Sequence, residues 1–296
     1  LKRRTPERLI AGLIAASILA KCGCELRGVP GFFRIDGVWC INLEPGMLIP
    51  TRNAVGQIVA LQVRRDKPSD WNDYCKRTGQ NKEFLRYMTI SAKGLPDGVT
   101  TDISQAHFPL GNDSLDDPET AVCITEGPLK ADAAVELKGN RKMFFIALHG
   151  TSNTKTLPAI FAWLKGKGVE TVFNVFDMDK VTNVNVAKAG RRVRSIAAGY
   201  GIKLAEKCWD AEYAQQKLSE LNAICCEHGI FVPTTFNVFT DLANVSQELA
   251  KRNIRHSRVK NADGLEEKHY WSDKTKGIDD YLLSIRTATG GEGASA

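Results

Sequence analysis

The chain has 296 residues, 40 Lys/Arg against 34 Asp/Glu for a formal net charge of +6, with 43% hydrophobic and 25% charged residues. That length buries a sizeable core and suits two domains, and the composition is globular rather than disordered or fibrous. Its eight cysteines have no spaced framework, which excludes a disulfide-stapled secreted scaffold and fits reduced thiols.

The first element, residues 9–20, is apolar or small throughout and follows several basic residues. It is too short to span a bilayer and reads as a packing helix rather than a signal peptide. The chain starts on Leu1 and ends in GGEGASA, so a piece of a larger parent protein is expected. Residues 46–65 (GMLIPTRNAVGQIVALQVRR) hold two strand-like runs joined by Asn53-Ala54-Val55-Gly56.

Charge is uneven along the chain. Residues 1–110 carry 16 Lys/Arg and 10 Asp/Glu, whereas residues 111–296 carry 24 of each, so the whole excess lies in the first part. Arg52, Arg64, Arg65, Lys67, Lys76, Arg77, Lys82 and Arg86 dominate it, interleaved with Trp71, Tyr74, Phe84 and Tyr87. Cations beside aromatics suit single-stranded DNA or RNA, through phosphate attraction and base stacking. The contacts expected are Arg52, Arg64, Arg65, Lys76 and Arg77; a merely solvated surface is the alternative.

An apolar strand follows at 121–125 (AVCIT) and ends in Glu126-Gly127. Gly127 allows a tight strand-to-helix turn that leaves Glu126 exposed at the strand's end, and 129–137 reads as the helix. A second strand, 143–148 (MFFIAL), passes through His149-Gly150-Thr151 into a helix at 157–165. The third, 172–179 (VFNVFDMD), closes on Asp177 and Asp179. Alternation along an extended chain points both carboxylates the same way. Like charges held close resist joint ionisation, and a divalent cation removes that penalty, hard oxygen ligands suiting Mg²⁺ or Mn²⁺. Strands alternating with helices make a parallel sheet, whose functional groups gather at its carboxyl edge.

Residues 186–198 read as a sheet-packing helix bearing Lys188, Arg191, Arg192 and Arg194, and 202–205 as the next strand. Residues 210–275 look inserted. They open with a helix at 211–228, and FNVF at 236–239 repeats 173–176, which predicts a second β-α unit added to the sheet. Cys22, Cys24, Cys225, Cys226 and His228 lack C-x-x-C spacing, so no structural zinc is expected. The chain has no G-x-x-x-x-G-K-[ST] loop and no G-x-S-x-G elbow.

ITEG (residues 124–127), LHGTSNT (148–154), VFDMD (175–179) and KGIDDYL (276–282) together resemble the Toprim domain of bacterial primases, topoisomerases and related nucleases. The run at 46–65 is similar to the strand pair that precedes Toprim in primase catalytic cores. With PGFF, the same segments resemble an uncharacterised Toprim-containing family of phage, plasmid and conjugative-element proteins, over about residues 30–283. The resemblance implies an α/β fold: a basic, primase-core-like α+β region at 1–115, then a Toprim-like parallel sheet flanked by helices at 116–296, with the insertion at about 210–275.

It further implies that Glu126, Asp177 and Asp179 hold Mg²⁺ or Mn²⁺ for phosphodiester chemistry, with Asp279 or Asp280 completing the cluster. Primases usually place an aspartate four residues after the glutamate. Here that residue is Lys130, with Asp132 two further on, and Lys130 is expected to point at the site and touch phosphate. The implied function is primase-like nucleotidyl transfer on single-stranded nucleic acid, with nucleotides as substrates, in mobile-element replication. The implied setting is the cytoplasm of a bacterial or phage-infected cell, without a membrane and with a helicase or further domains of the parent chain as partners. A Toprim nuclease and a non-catalytic nucleic-acid-binding module remain as alternatives.

Overall fold

A computed structural model describes residues 6–42, 45–66, 85–100, 105–260 and 266–289. The chain divides into two compact units, residues 1–105 and 106–296.

In the first unit, helix α1 (Pro6–Lys21) packs on the antiparallel hairpin of β1 (Phe32–Ile35) and β2 (Val38–Ile41), as a packing helix should. Ala16, Leu26, Phe32 and Ile41 bury the contact. The two runs at 46–65 form β3 (Gly46–Arg52) and β4 (Ile58–Arg65), and β5 (Tyr87–Thr89) completes an antiparallel sheet in the order β3-β4-β5. Asn53 sets the β3–β4 turn, its Oδ1 accepting from the N–H groups of Val55 (3.1 Å) and Gln57 (3.0 Å). This is the local side-chain-to-backbone bonding that suits Asn to turns. A register shift at Thr51/Arg52 marks the end of the ladder.

The second unit is α/β. Strands β6 (Ala121–Glu126), β7 (Met143–Leu148), β8 (Thr171–Asn174) and β9 (Lys203–Glu206) form one parallel sheet in the order β7-β6-β8-β9. Helices α2 (Pro128–Leu137), α3 (Leu157–Gly166) and α4 (Val184–Ala198) make the crossovers. The first crossover runs outward from β6 to β7 and the next returns past β6 to β8. Strand order therefore reverses between β6 and β8, the topological switch point where parallel sheets bind ligands.

Strands β6 and β7 are buried on both faces, which is why they read as unbroken apolar runs. Val122, Ile124, Ile146 and Leu148 pack with α3 and α4. Cys123, Phe145 and Ala147 face the opposite layer, which holds α2, α5 (Ala211–Glu227), α6 (Val238–Lys251) and α7 (Ile278–Thr289). The segment from Ala106 belongs here too: His107 and Ala147 exchange backbone hydrogen bonds of 2.8 Å in both directions.

The insertion adds helices rather than a sheet strand. Phe236 adopts φ 62° and is 96% exposed, and Asn237 caps α6 by accepting from the Thr240 N–H at 3.0 Å. The expected second β-α unit is thus corrected: this FNVF starts a helix, because its asparagine supplies the N-cap oxygen a helix start requires. A short antiparallel ribbon of β10 (Arg258–Lys260) and β11 (Glu266–Lys268) follows. No helix among the described residues is long and apolar enough to cross a membrane.

Phe145 is wholly buried in the centre of β7. Phe145→Ala removes its ring and leaves a cavity, so it should lower unfolding free energy by roughly 3–5 kcal/mol. Urea denaturation of the two proteins measures this directly.

Candidate metal centre

Glu126 is the last residue of β6. Gly127 follows at φ 87°, a left-handed backbone that glycine adopts without strain, and Pro128 opens α2 with its φ already helical. This tight turn brings Lys130, in the first turn of α2, back over Glu126, with Nζ 3.6 Å from Oε1.

The β8 strand ends at Asn174, earlier than an extended run through Asp179 requires. The Val175 N–H donates to Ile124 O (2.9 Å), and the Thr125 hydroxyl donates to Val175 O (3.3 Å), tying the exit of β8 to β6. Asp177, at φ −45° and ψ 144°, then leads into a 3₁₀ turn, Met178–Val181, which contains Asp179. Lys180 is buried and closes the turn, Nζ donating to Asn174 O (2.9 Å) and Lys207 O (2.6 Å). The two aspartates are therefore gathered by a turn and not by strand alternation, which corrects the extended reading of 172–179.

One carboxylate oxygen from each of Glu126, Asp177 and Asp179 lies within 4.8 Å of the others. All three stand at the carboxyl edge between β6 and β8, and this group can hold a metal ion. Asp177 and Asp179 are buried, and the Glu126 side chain is 18% exposed rather than open as expected. The overlying α2 turn accounts for that. Asp179 Oδ1 is buried without a hydrogen-bond partner. An orphaned carboxylate oxygen costs free energy, and a cation beside an all-oxygen donor set removes the cost.

Two lysines already attend the carboxylates. Lys130 Nζ pairs directly with Asp177 Oδ1 as well as with Glu126. Lys276 Nζ lies 3.9 Å from Asp177 Oδ2 and 3.7 Å from Asp179 Oδ2. The Lys276 carbonyl also accepts from the Met178 N–H at 2.8 Å, so the KGIDDYL segment buttresses the 3₁₀ turn. Lys276 was not among the expected site residues. Its place in that motif was the one sequence signal for it.

Burial, and next the Asp177 charge, push the Glu126 carboxyl up to about 8, partly offset by Lys130. Burial also raises Asp179, against Lys276. For Lys130 burial works downward, but Asp177 and Glu126 overcome it and its ammonium ends above the usual lysine range.

The remaining expected residues separate. Asp279 and Asp280 both open α7. Asp280 Oδ2 accepts from the Gly277 N–H at 2.9 Å. Asp279 is near enough to Lys130 for their charges to interact, and its Oδ1 is buried without a partner. Gly277 leaves room for this arrangement, since a Cβ there would sit 2.2 Å from Asp279 Oδ1. Asp132 turns away to His107 Nε2, 2.9 Å distant. In the first unit Arg52 ends β3, while Arg64 and Arg65 end β4. Lys76 and Arg77 lie outside the described residues, as do Trp71, Tyr74 and Phe84.

No family model matches the chain, and no curated protein matches it. Among solved structures the chain is similar to the zinc-binding and RNA polymerase domains of the Aquifex aeolicus primase, at 13% identity and a TM-score of 0.40. That match covers 76% of this chain and 43% of the primase chain, less than half of the latter's length.

Glu126 binds its proton more tightly when folded than its ordinary value near 4.5 allows. The stability it contributes is complete below that value and is lost as pH rises through about 8. Metal-free protein should therefore lose thermal stability over this window. Mg²⁺ should restore it, and Asp177→Asn with Asp179→Asn should abolish the Mg²⁺ effect in thermal scans with and without chelator.

An incoming ion must also compete with the Lys130 ammonium for Asp177 and Glu126. Lys130→Met should tighten Mn²⁺ binding roughly tenfold, the worth of one charged hydrogen bond, as read by Mn²⁺ paramagnetic resonance. Unchanged or weaker binding would show that Lys130 supports the ion instead.

Proposed function

We propose that the chain performs metal-dependent phosphoryl transfer on nucleic acid, as primase-like nucleotidyl transfer in mobile-element replication. The observation that carries this reading is the convergence of Glu126, Asp177 and Asp179 at the sheet's switch point, with a buried Asp179 oxygen lacking a partner. The resemblance of ITEG, LHGTSNT, VFDMD and KGIDDYL to Toprim supports it, as does the excess of Lys/Arg in the first part of the chain.

Mg²⁺ or Mn²⁺ held by these carboxylates would supply Lewis-acid polarisation of a phosphoryl oxygen and favour the attacking group. The chain's own residues do the rest. Lys130 and Lys276 present ammonium groups beside the carboxylates, where developing phosphate charge needs donors. Burial of Asp177 and Asp179 raises the strength of those interactions. The Thr125–Val175 and Lys180–Asn174 bonds hold both arms of the centre in register. In the first unit, Arg52, Arg64 and Arg65, with Lys76 and Arg77, contact the strand being copied.

A second reading has one observation in its favour. Lys130 satisfies Asp177 and Glu126 without any metal, as a non-catalytic binding module would require. The two are separated by incubating the protein with single-stranded template, Mg²⁺ or Mn²⁺ and labelled nucleotides. Short products that vanish in Glu126→Gln establish nucleotidyl transfer, and cleaved strands establish the nuclease alternative. Binding without synthesis or cleavage, in wild type and variant alike, establishes the module.

A further inference from the structure

The pairing of β3, β4 and β5 places Met47, Arg64 and Tyr87 directly opposite one another, in one row across the sheet. Cross-strand partners project to the same face with Cβ atoms about 5 Å apart. All three are exposed, Met47 by 45% and Tyr87 by 51%. The next row on that face is Ile49, Gln62 and Thr89. There Ile49 is 1% and Gln62 9% exposed. The row at this end of the sheet is thus open while its neighbour is covered, and an arginine stands in it between an aromatic ring and a thioether.

The surrounding charge is mostly positive, with Asp66, the residue after β4, as a carboxylate beside it. The three strands contain Arg52, Arg64 and Arg65 and no carboxylate, and Arg86 adjoins β5, its carbonyl accepting from the Arg65 N–H at 2.7 Å. A protein partner seeking an apolar patch would meet the Arg64 guanidinium in the middle of it. A polyanion with planar apolar faces meets complementary charge and a stacking surface together.

We infer that the Met47–Arg64–Tyr87 row is a stacking site for single-stranded nucleic acid. A base lies on the Tyr87 ring and Met47 extends the apolar floor. The Arg64 guanidinium takes a flanking phosphate. This rests on the nucleic-acid reading above and adds to it a residue pair with separable roles. Tyr87 contributes stacking, which is insensitive to salt, and Arg64 contributes a phosphate contact, which is not.

The test is fluorescence anisotropy of a labelled oligothymidylate, without metal, across a salt series. Tyr87→Ala should weaken binding roughly 5- to 150-fold with the slope of log affinity against log salt unchanged. Tyr87→Phe should retain wild-type affinity, since the ring face is kept. Arg64→Ala should reduce the slope by about 0.7, one single-strand phosphate contact. Thermal unfolding of each variant controls for a purely structural role, since loss of a cross-strand pair alone lowers the melting temperature without selective loss of binding. Wild-type binding that Tyr87→Ala leaves intact, or that Tyr87→Phe loses equally, overturns this site and leaves the nucleic-acid reading standing. Absence of wild-type binding at low salt overturns both.

Discussion

Mutual repulsion among Glu126, Asp177 and Asp179 is the constraint around which the second unit is arranged. Two unit charges at the outer separation of 4.8 Å repel by roughly 3 kcal/mol at an effective dielectric near 20, and three such pairs approach the whole stability of a typical domain. The fold can tolerate them only with positive charge or a proton in attendance. Both are present: Lys130 and Lys276 lie on the carboxylates, and Glu126 holds its proton up to about 8. Such compensation is costly to assemble, and apolar residues in the same positions often pack at no greater cost.

The parallel sheet makes such a cluster possible without loosening the core. Strands β6, β7 and β8 are covered on both faces, by α3 and α4 on one side and by α2, α7 and the inserted helices on the other. Polar groups are therefore confined to the strand ends. At the switch point the chain leaves β6 and β8 in divergent directions, opening the one place on that edge where two adjacent strands deliver side chains to the same spot. The inserted α5 and α6 thicken one layer and leave the strand order untouched.

Continuous apolar runs made β6 and β7 legible almost to the residue, because burial on both faces removes the alternation that otherwise confuses short strands. Gly127 was legible for a similarly local reason, as a turn that only a left-handed backbone completes. What could not be read was anything held by distant partners. The 3₁₀ turn that gathers the aspartates depends on Lys180 reaching the Lys207 carbonyl and on Lys276 accepting from Met178. The duplicated FNVF makes the same point. Asn174 accepts from Phe176 N–H at 3.1 Å and donates to Glu206 at 2.9 Å, ending a strand. Asn237 pairs with no strand among the described residues and caps a helix instead.

Helix geometry decides the charge of the centre. In α2 successive residues turn by about 100°, so Lys130 and Asp132 point about 200° apart and cannot both face Glu126. Lys130 takes the inward place, and Asp132 is committed to the fully buried His107. The aspartate two positions on is thus no substitute for an acid at position 130. The three carboxylates and two lysines sum to a formal charge of −1, before any proton on Glu126. One divalent ion would invert that to +1. The residue one turn beyond Glu126 therefore sets how much negative charge the centre keeps.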